Sequence, residues 1–166
     1  MNCTIRTAAP QDRDRLVELM RQLNHSENAI DGDRRLDRSG ADESLQASER
    51  QVAKTDGLIL VAEVEGKVAG FLTLTFEEGP VYLIPEERPY AHIGDLAVDE
   101  GLRRRGIGRA LMTAAEAEAM KRGYHQILIG VLAGNVAAEA AYARQGFRPL
   151  GHNLIKRIGS PPSKGD

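Results

Sequence analysis

Leu96–Arg109 reads LAVDEGLRRRGIGR: a short apolar run, an acidic turn, three consecutive arginines, and two glycines leading into an amphipathic stretch. Arg109 to Arg122 is rich in Ala, Met, Glu and Lys and free of proline. Leu111, Ala114, Ala115 and Glu118 keep helical spacing there after Gly108, and Gly123 supplies the stop. Ahead of the loop, His92–Val98 (HIGDLAV) is β-rich enough for a buried strand. The order strand, Gly/Arg loop, helix brings together free helix-start amides, glycines that admit a ligand, and guanidiniums. That combination is a cradle for a pyrophosphate.

Residue identity excludes two common phosphate loops. A Walker loop needs Lys-Ser/Thr after its last glycine, where this chain has Arg109-Ala110, and a G-x-G-x-x-G fingerprint needs a third glycine where Leu111 stands. A basic turn capping an ordinary helix is the plainer alternative for an arginine run. Arg103-Arg104-Arg105-Gly106-Ile107-Gly108, however, resembles the Q/R-x-x-G-x-G/A signature of the GNAT superfamily, the GCN5-related N-acetyltransferases. Asn135–Phe147, NVAAEAAYARQGF, resembles the later N-x-x-A-x-x-x-Y-x-x-x-G-F element of the same family, in the same order. The resemblance covers residues 3 to 158.

This resemblance implies an α/β, GNAT-like acyl-CoA transferase fold: a central mixed sheet of six to seven strands flanked by about four helices. It also implies acetyl-CoA as cosubstrate. Backbone groups of Leu96, Ala97 and Val98 would pair with the pantetheine amides. The loop and helix start, Arg103, Arg104, Arg105, Gly106, Ile107, Gly108, Arg109 and Ala110, would hold the pyrophosphate. Asn135, which can also serve as an N-cap, would bond the pantetheine arm.

Composition narrows the classes. At 166 residues, with no proline- or serine-rich linker, the chain fits a single domain over residues 1–159 followed by a disordered tail, 160–166. Hydrophobic residues make up 42%, no apolar run approaches a membrane span, and the N-terminal stretch has no signal-peptide core, so a cytoplasmic location without membrane attachment is expected. Cys3 is the single cysteine, which excludes an internal disulfide and a Cys-based metal site, and no metal is expected. A net charge of −2 argues against a broad nucleic-acid face.

Along the chain, residues 3–8 read as an edge strand. A helix opens at Asp12 with Leu16, Leu19, Met20 and Leu23 on its core face, and a second helix is expected over Glu43 to Lys54. LILVAEV and KVAGFLTLTF read as a hairpin turning at Glu65-Gly66. A proline-broken loop precedes the cofactor strand. After the central helix come a strand over Gln126–Leu132, a helix over Val136–Arg144, and strands near Phe147–Gly151 and Leu154–Ile158.

Proton accounting defines the chemistry that the resemblance implies. A lysine-like amine of pKa ~10.4 is neutral about once in 2,500 molecules at pH 7, roughly 4 to 5 kcal/mol, so a base or a water chain must take its proton. Glutamates often occupy the cofactor strand in related enzymes, at places taken here by His92 and Gly94. Gly94 cannot act. His92 is the expected base, with Asp95 through a water, or Glu77 and Glu78 from the adjoining strand end, as alternatives. The departing thiolate, pKa ~8.5, needs a proton, and Tyr142, pKa ~10, seven residues beyond Asn135, is the expected acid. Glu77, Glu78, Glu86 and Glu87 with Tyr82 and Tyr90 suit a cationic acceptor. The expected activity is direct transfer of acetyl to a primary amine of a small molecule or peptide, and a homodimer is compatible with it. A catalytically silent acyl-CoA sensor needs the loop but neither Tyr142 nor a base.

Overall fold

The computed structural model describes residues 2–160. The chain divides into two compact units, Met1–Asn135 and Val136–Asp166, and each is described by itself. Of the expected tail, residues 161–166 lie outside the described residues.

The first unit is built on a five-stranded mixed sheet in the order β1 (Cys3–Thr7), β2 (Leu58–Val64), β3 (Lys67–Glu78), β4 (Pro89–Val98) and β5 (Ile127–Ile129). The first three pairings are antiparallel, and β4 with β5 is parallel. The hairpin expected at Glu65-Gly66 forms: both residues have positive φ, 51° and 74°, as the two-residue turn that matches strand twist requires.

Three helices cover the sheet. Helix α1 (Arg13–Asp31) runs past the expected end of its apolar pattern and stops at Gly32, which is left-handed at φ 74° and donates to Asn28 O at 2.9 Å. Helix α2 (Arg38–Lys54) starts five residues before the expected Glu43, because the Asp37 carboxylate caps the Gly40 N–H at 3.1 Å. Helix α3 (Ile107–Lys121) follows the Gly/Arg loop, and Gly123 at φ 83° stands just beyond its end.

Period-two alternation sorts the sheet into two faces. Val61, Phe71 and Ala97 pack with Leu16, Val17, Leu19 and Met20 of α1 and Ala41 and Leu45 of α2. On the other face the Gly70 backbone lies so close to α3 that an added Cβ would stand 3.3 Å from Ile107 and 3.4 Å from Leu111. Leu72, Leu74, Ile93 and Leu111 are fully buried, each contributing roughly 1.5–3 kcal/mol by leaving water.

In the second unit, α4 (Val136–Arg144) forms where expected. It closes with Gly146 at φ 89° and with Gln145 and Phe147 N–H groups donating to Tyr142 O at 2.9 and 3.1 Å. The strands expected at 147–151 and 154–158 are absent: no described residue after α4 is in a helix or strand, so the sheet has five strands rather than six or seven. Pro149 offers no N–H, and Leu154, Ile155 and Ile158 stand exposed, so the alternation there has no buried face to fix a register.

Candidate functional site

Strand β4 outlasts its neighbour. Its ladder with β5 covers only Ala91, His92 and Ile93, opposite Ile127, Leu128 and Ile129, while β4 continues to Val98 with β3 as the one strand beside it among the described residues. The change coincides with a bulge, in which Gly94 and Asp95 together face Thr73 between the Leu72–Leu96 and Leu74–Ile93 pairs. Beyond the bulge, Asp99 N donates to Ala69 O at 2.8 Å. Antiparallel alternation then commits the Ala97 backbone to Phe71 and turns the N–H and C=O groups of Leu96 and Val98 toward the edge that β5 has left. Of the three residues expected to offer backbone groups to the pantetheine arm, Leu96 and Val98 turn theirs to the open edge and Ala97 turns its own to β3. Val98 O accepts from Arg103 Nε at 3.2 Å with one of its two lone pairs.

Where β4 ends, the Gly/Arg loop begins. Arg104 and Gly106 both take left-handed backbone, φ 62° and 84°; the first is a strained choice for a side-chain-bearing residue, and the second is why glycine stands at the α3 N-cap. Ala110 N already donates to Gly106 O at 3.0 Å, so Ile107, Gly108 and Arg109 carry the orphan amides of the first turn. An added Cβ would meet no protein atom within 4 Å at Gly106, and at Gly108 only Val98 Cγ2, at 3.8 Å. The approach to those amides is open.

The three arginines of the run divide their roles. Arg103 is spent inward, on Val98 O and on Ser26 Oγ of α1 at 3.0 Å. Among the described residues no carboxylate pairs with Arg104, Arg105 or Arg109, all three exposed beside the helix start. Helix α1 also pins the loop through the Arg15–Asp99 ion pair and through Gln22 Oε1, which accepts from Glu100 N at 3.0 Å. Burial alone would raise the Asp99 carboxyl, but the bonds from Arg15 and from Gly101 N–H outweigh it and hold the carboxyl below its ordinary range. The set, two outward-facing strand residues followed by three free helix-start amides and three unpaired guanidiniums, suits an extended amide chain ending in a polyphosphate.

The face of the sheet under α2 is polar at the same level. Thr75 pairs with His92 and Glu77 with Tyr90, which places these four side chains on one face with Thr73. The Tyr90 and His92 rings meet edge to face, centroids 6.5 Å apart. Burial and the charge of Glu77 raise the Tyr90 phenol above its ordinary pKa. From α2, Ser48 Oγ donates to Asp95 Oδ2 at 2.6 Å and Gln51 Nε2 to Glu77 Oε1 at 2.9 Å. Thr73 Oγ1 donates to the same Asp95 Oδ2 at 2.8 Å and accepts from Asp95 N at 2.8 Å. The structure thus gathers His92, Asp95 and Glu77 on one surface. Glu78 instead pairs with Arg88 at 3.3 Å.

Sequence reasoning did not single out Ser48, Gln51 or Thr73. One signal was present for Ser48: it falls three residues after Leu45 and seven after Ala41, on the inner face of α2, where a serine needs a polar partner.

Asn135 closes the first unit, with its N–H donating to Leu132 O at 2.9 Å. Tyr142 belongs to the second unit, on the last turn of α4, its ring centroid 5.9 Å from that of Phe147. No helix among the described residues is long and apolar enough to cross a membrane.

Comparison with known proteins adds the following. The sequence profile described as "Acetyltransferase (GNAT) family" matches residues 18–147. An N-alpha-acetyltransferase from Sulfurisphaera tokodaii is 34% identical over 99 residues, 57% of this chain and 59% of that protein; the chain therefore spans about three fifths of the length of this curated relative. A GCN5-related N-acetyltransferase from Ralstonia eutropha JMP134 superposes with TM-score 0.73 at 22% identity, covering 95% of this chain and all of that one. An aminoglycoside N-acetyltransferase in complex with CoA superposes with TM-score 0.71 at 16% identity, covering 94% of each chain. At these identities the two solved structures establish the fold.

Proposed function

The chain belongs to the acetyltransferase (GNAT) family, and we propose that it transfers the acetyl group of acetyl-CoA directly to a primary amine. The observation that carries this reading is the end of β5 beside Gly94–Val98, with the Gly/Arg loop at the open end of that gap. The residues present fit the cosubstrate: the outward groups of Leu96 and Val98 match a pantetheine arm, and the Ile107–Arg109 amides with Arg104, Arg105 and Arg109 match a pyrophosphate. Acetyl-CoA, once bound, supplies the electrophilic thioester carbon. The reading keeps a single functional domain over 1–159, a cytoplasmic location and no role for nucleic acid or membrane.

The chain's own residues then handle protons. Asp95 is the favoured base, because it stands at the bulge next to Leu96 with its carboxylate held by two hydroxyl donors. His92, one residue before the bulge, is the alternative. Tyr142 is the acid for the thiolate, by its place in the Asn135–Phe147 element. For the acceptor, the α-amine of a peptide is the first choice, supported by the relative named as an N-alpha-acetyltransferase. An α-amine of pKa ~7.7–8.0 asks far less of a base than a lysine at ~10.4.

The test is thiol release by the full chain from acetyl-CoA in the presence of a peptide with a free α-amine, an Nα-blocked lysine peptide, a polyamine or an aminoglycoside. Acceptor-dependent release is expected, largest with the α-amine. Tight acetyl-CoA binding without release on any acceptor would replace the enzyme by a silent sensor.

A further inference from the structure

We propose that Ser48 is a positioning residue: its hydroxyl, with that of Thr73, fixes one carboxylate oxygen of Asp95 and leaves the other, Oδ1, to take the acceptor's proton. The inference rests on the reading in which Asp95 is the base.

The hydrogen bonds leave little freedom. Thr73 Oγ1 receives the Asp95 N–H and so spends its single proton on Asp95 Oδ2, while Ser48 spends its own on the same oxygen. The Asp95 amide, displaced from the ladder by the bulge, is thereby satisfied by a side chain rather than by a strand. Gly94 belongs to the same device, because a Cβ there would come within 3.0 Å of Thr73 Oγ1, the atom on which both bonds converge. One donor comes from the strand. The other comes from a helix 47 residues away in sequence. Helix α2 is seated by the buried Ala41 and Leu45 and tied a second time by Gln51 to Glu77. The carboxylate is thus aimed only when α2 is docked.

The step balances as follows. The ammonium gives one proton to Asp95 Oδ1, and the freed lone pair forms the C–N bond. A second proton leaves the nitrogen as the C–S bond breaks and the sulfur, departing as thiolate, gains a proton. Net, one proton passes to solvent.

The experiment compares wild type, Ser48→Ala, Ser48→Thr and Asp95→Asn as full chains, with acetyl-CoA and a peptide bearing a free α-amine, at pH 7 and pH 9. Ser48→Ala is expected to lower kcat about tenfold at pH 7 and to leave the KM for acetyl-CoA within about twofold, since a single donor to a charged group is lost. At pH 9 the α-amine, of pKa ~7.7–8.0, is already mostly neutral, and the defect shrinks to about twofold. Ser48→Thr, which restores the hydroxyl, recovers most of the rate. Alanine is the stronger helix former, so α2 is retained, and a melting curve confirms it; if it does not fold, wild-type-like rates at pH 7 for Ser48→Val, which has the shape of threonine but no donor, overturn the inference in its place. An Ser48→Ala defect equal at both pH values, or none at all, with Asp95→Asn inactive at pH 7, overturns the positioning role and spares the base. Full activity of Asp95→Asn at pH 7 overturns the base assignment itself.

Discussion

Strand β4 holds two regions on one backbone. Ala91–Ile93 lies between β3 and β5, with Ala91 and Ile93 fully buried, whereas Gly94–Val98 has β3 on one edge and, among the described residues, no strand on the other. The difference is the neighbour: where β5 stops, backbone groups of β4 are left without a strand partner, and the bulge at Gly94-Asp95 marks the changeover. On the proposed reading, the first half holds the fold together and the second carries the chemistry.

Substitutions on either side of the bulge break or sharpen that contrast. The largest effect is expected from Asp95→Asn, a fall of about 10²–10³ in turnover at pH 7 with little change in melting temperature, because the amide oxygen still accepts from Ser48 and Thr73. If His92→Ala shows that loss and Asp95→Asn does not, the chemistry belongs to the paired half and the contrast fails. Ile93→Ala is the converse case: about 3 kcal/mol of stability lost in urea unfolding, with acetyl-CoA affinity of the folded protein unchanged.

The smallest effect comes from outside β4. Arg6 bonds Asp12 at 2.7 and 3.0 Å, and these bonds, with the Ala9 N–H, hold the buried Asp12 carboxyl below its ordinary range. A carboxyl lowered on folding stabilises fully above its unfolded pKa of ~3.9, and that stabilisation is lost as pH falls through the folded value. Asp12→Asn is therefore expected to cost about 1–2 kcal/mol at pH 7, Arg6 being a third exposed, and progressively less below about pH 4, with catalysis untouched. Urea titrations of both proteins across pH 2–7 check it.

Local patterns were the legible part of the sequence. The β2–β3 hairpin, the Gly/Arg loop, α3 and α4 each carry their own turn residue, cap or period, and the structure has them where those signals lie. What escaped depends on partners distant in the chain. The early start of α2 hangs on Asp37 within a charged run, and the Ser48–Asp95–Thr73 contacts join three elements that no short motif links. Residues 147–158 failed in the opposite direction: alternation and apolar residues read as strands, but pairing needs a neighbour and a buried face, and Leu154, Ile155 and Ile158 have neither a ladder nor cover.

The account depends most on the open edge of β4 and the start of α3 forming one acetyl-CoA site. Calorimetric titration of acetyl-CoA into wild type and Gly108→Val examines that directly, because a Cβ at this position meets only Val98 Cγ2, at 3.8 Å, while the proposed site leaves the ligand no such space. The expected result is an affinity weakened by at least about tenfold, equivalent to ~1.4 kcal/mol, at an unchanged melting temperature. Equal affinity in the two proteins would contradict it.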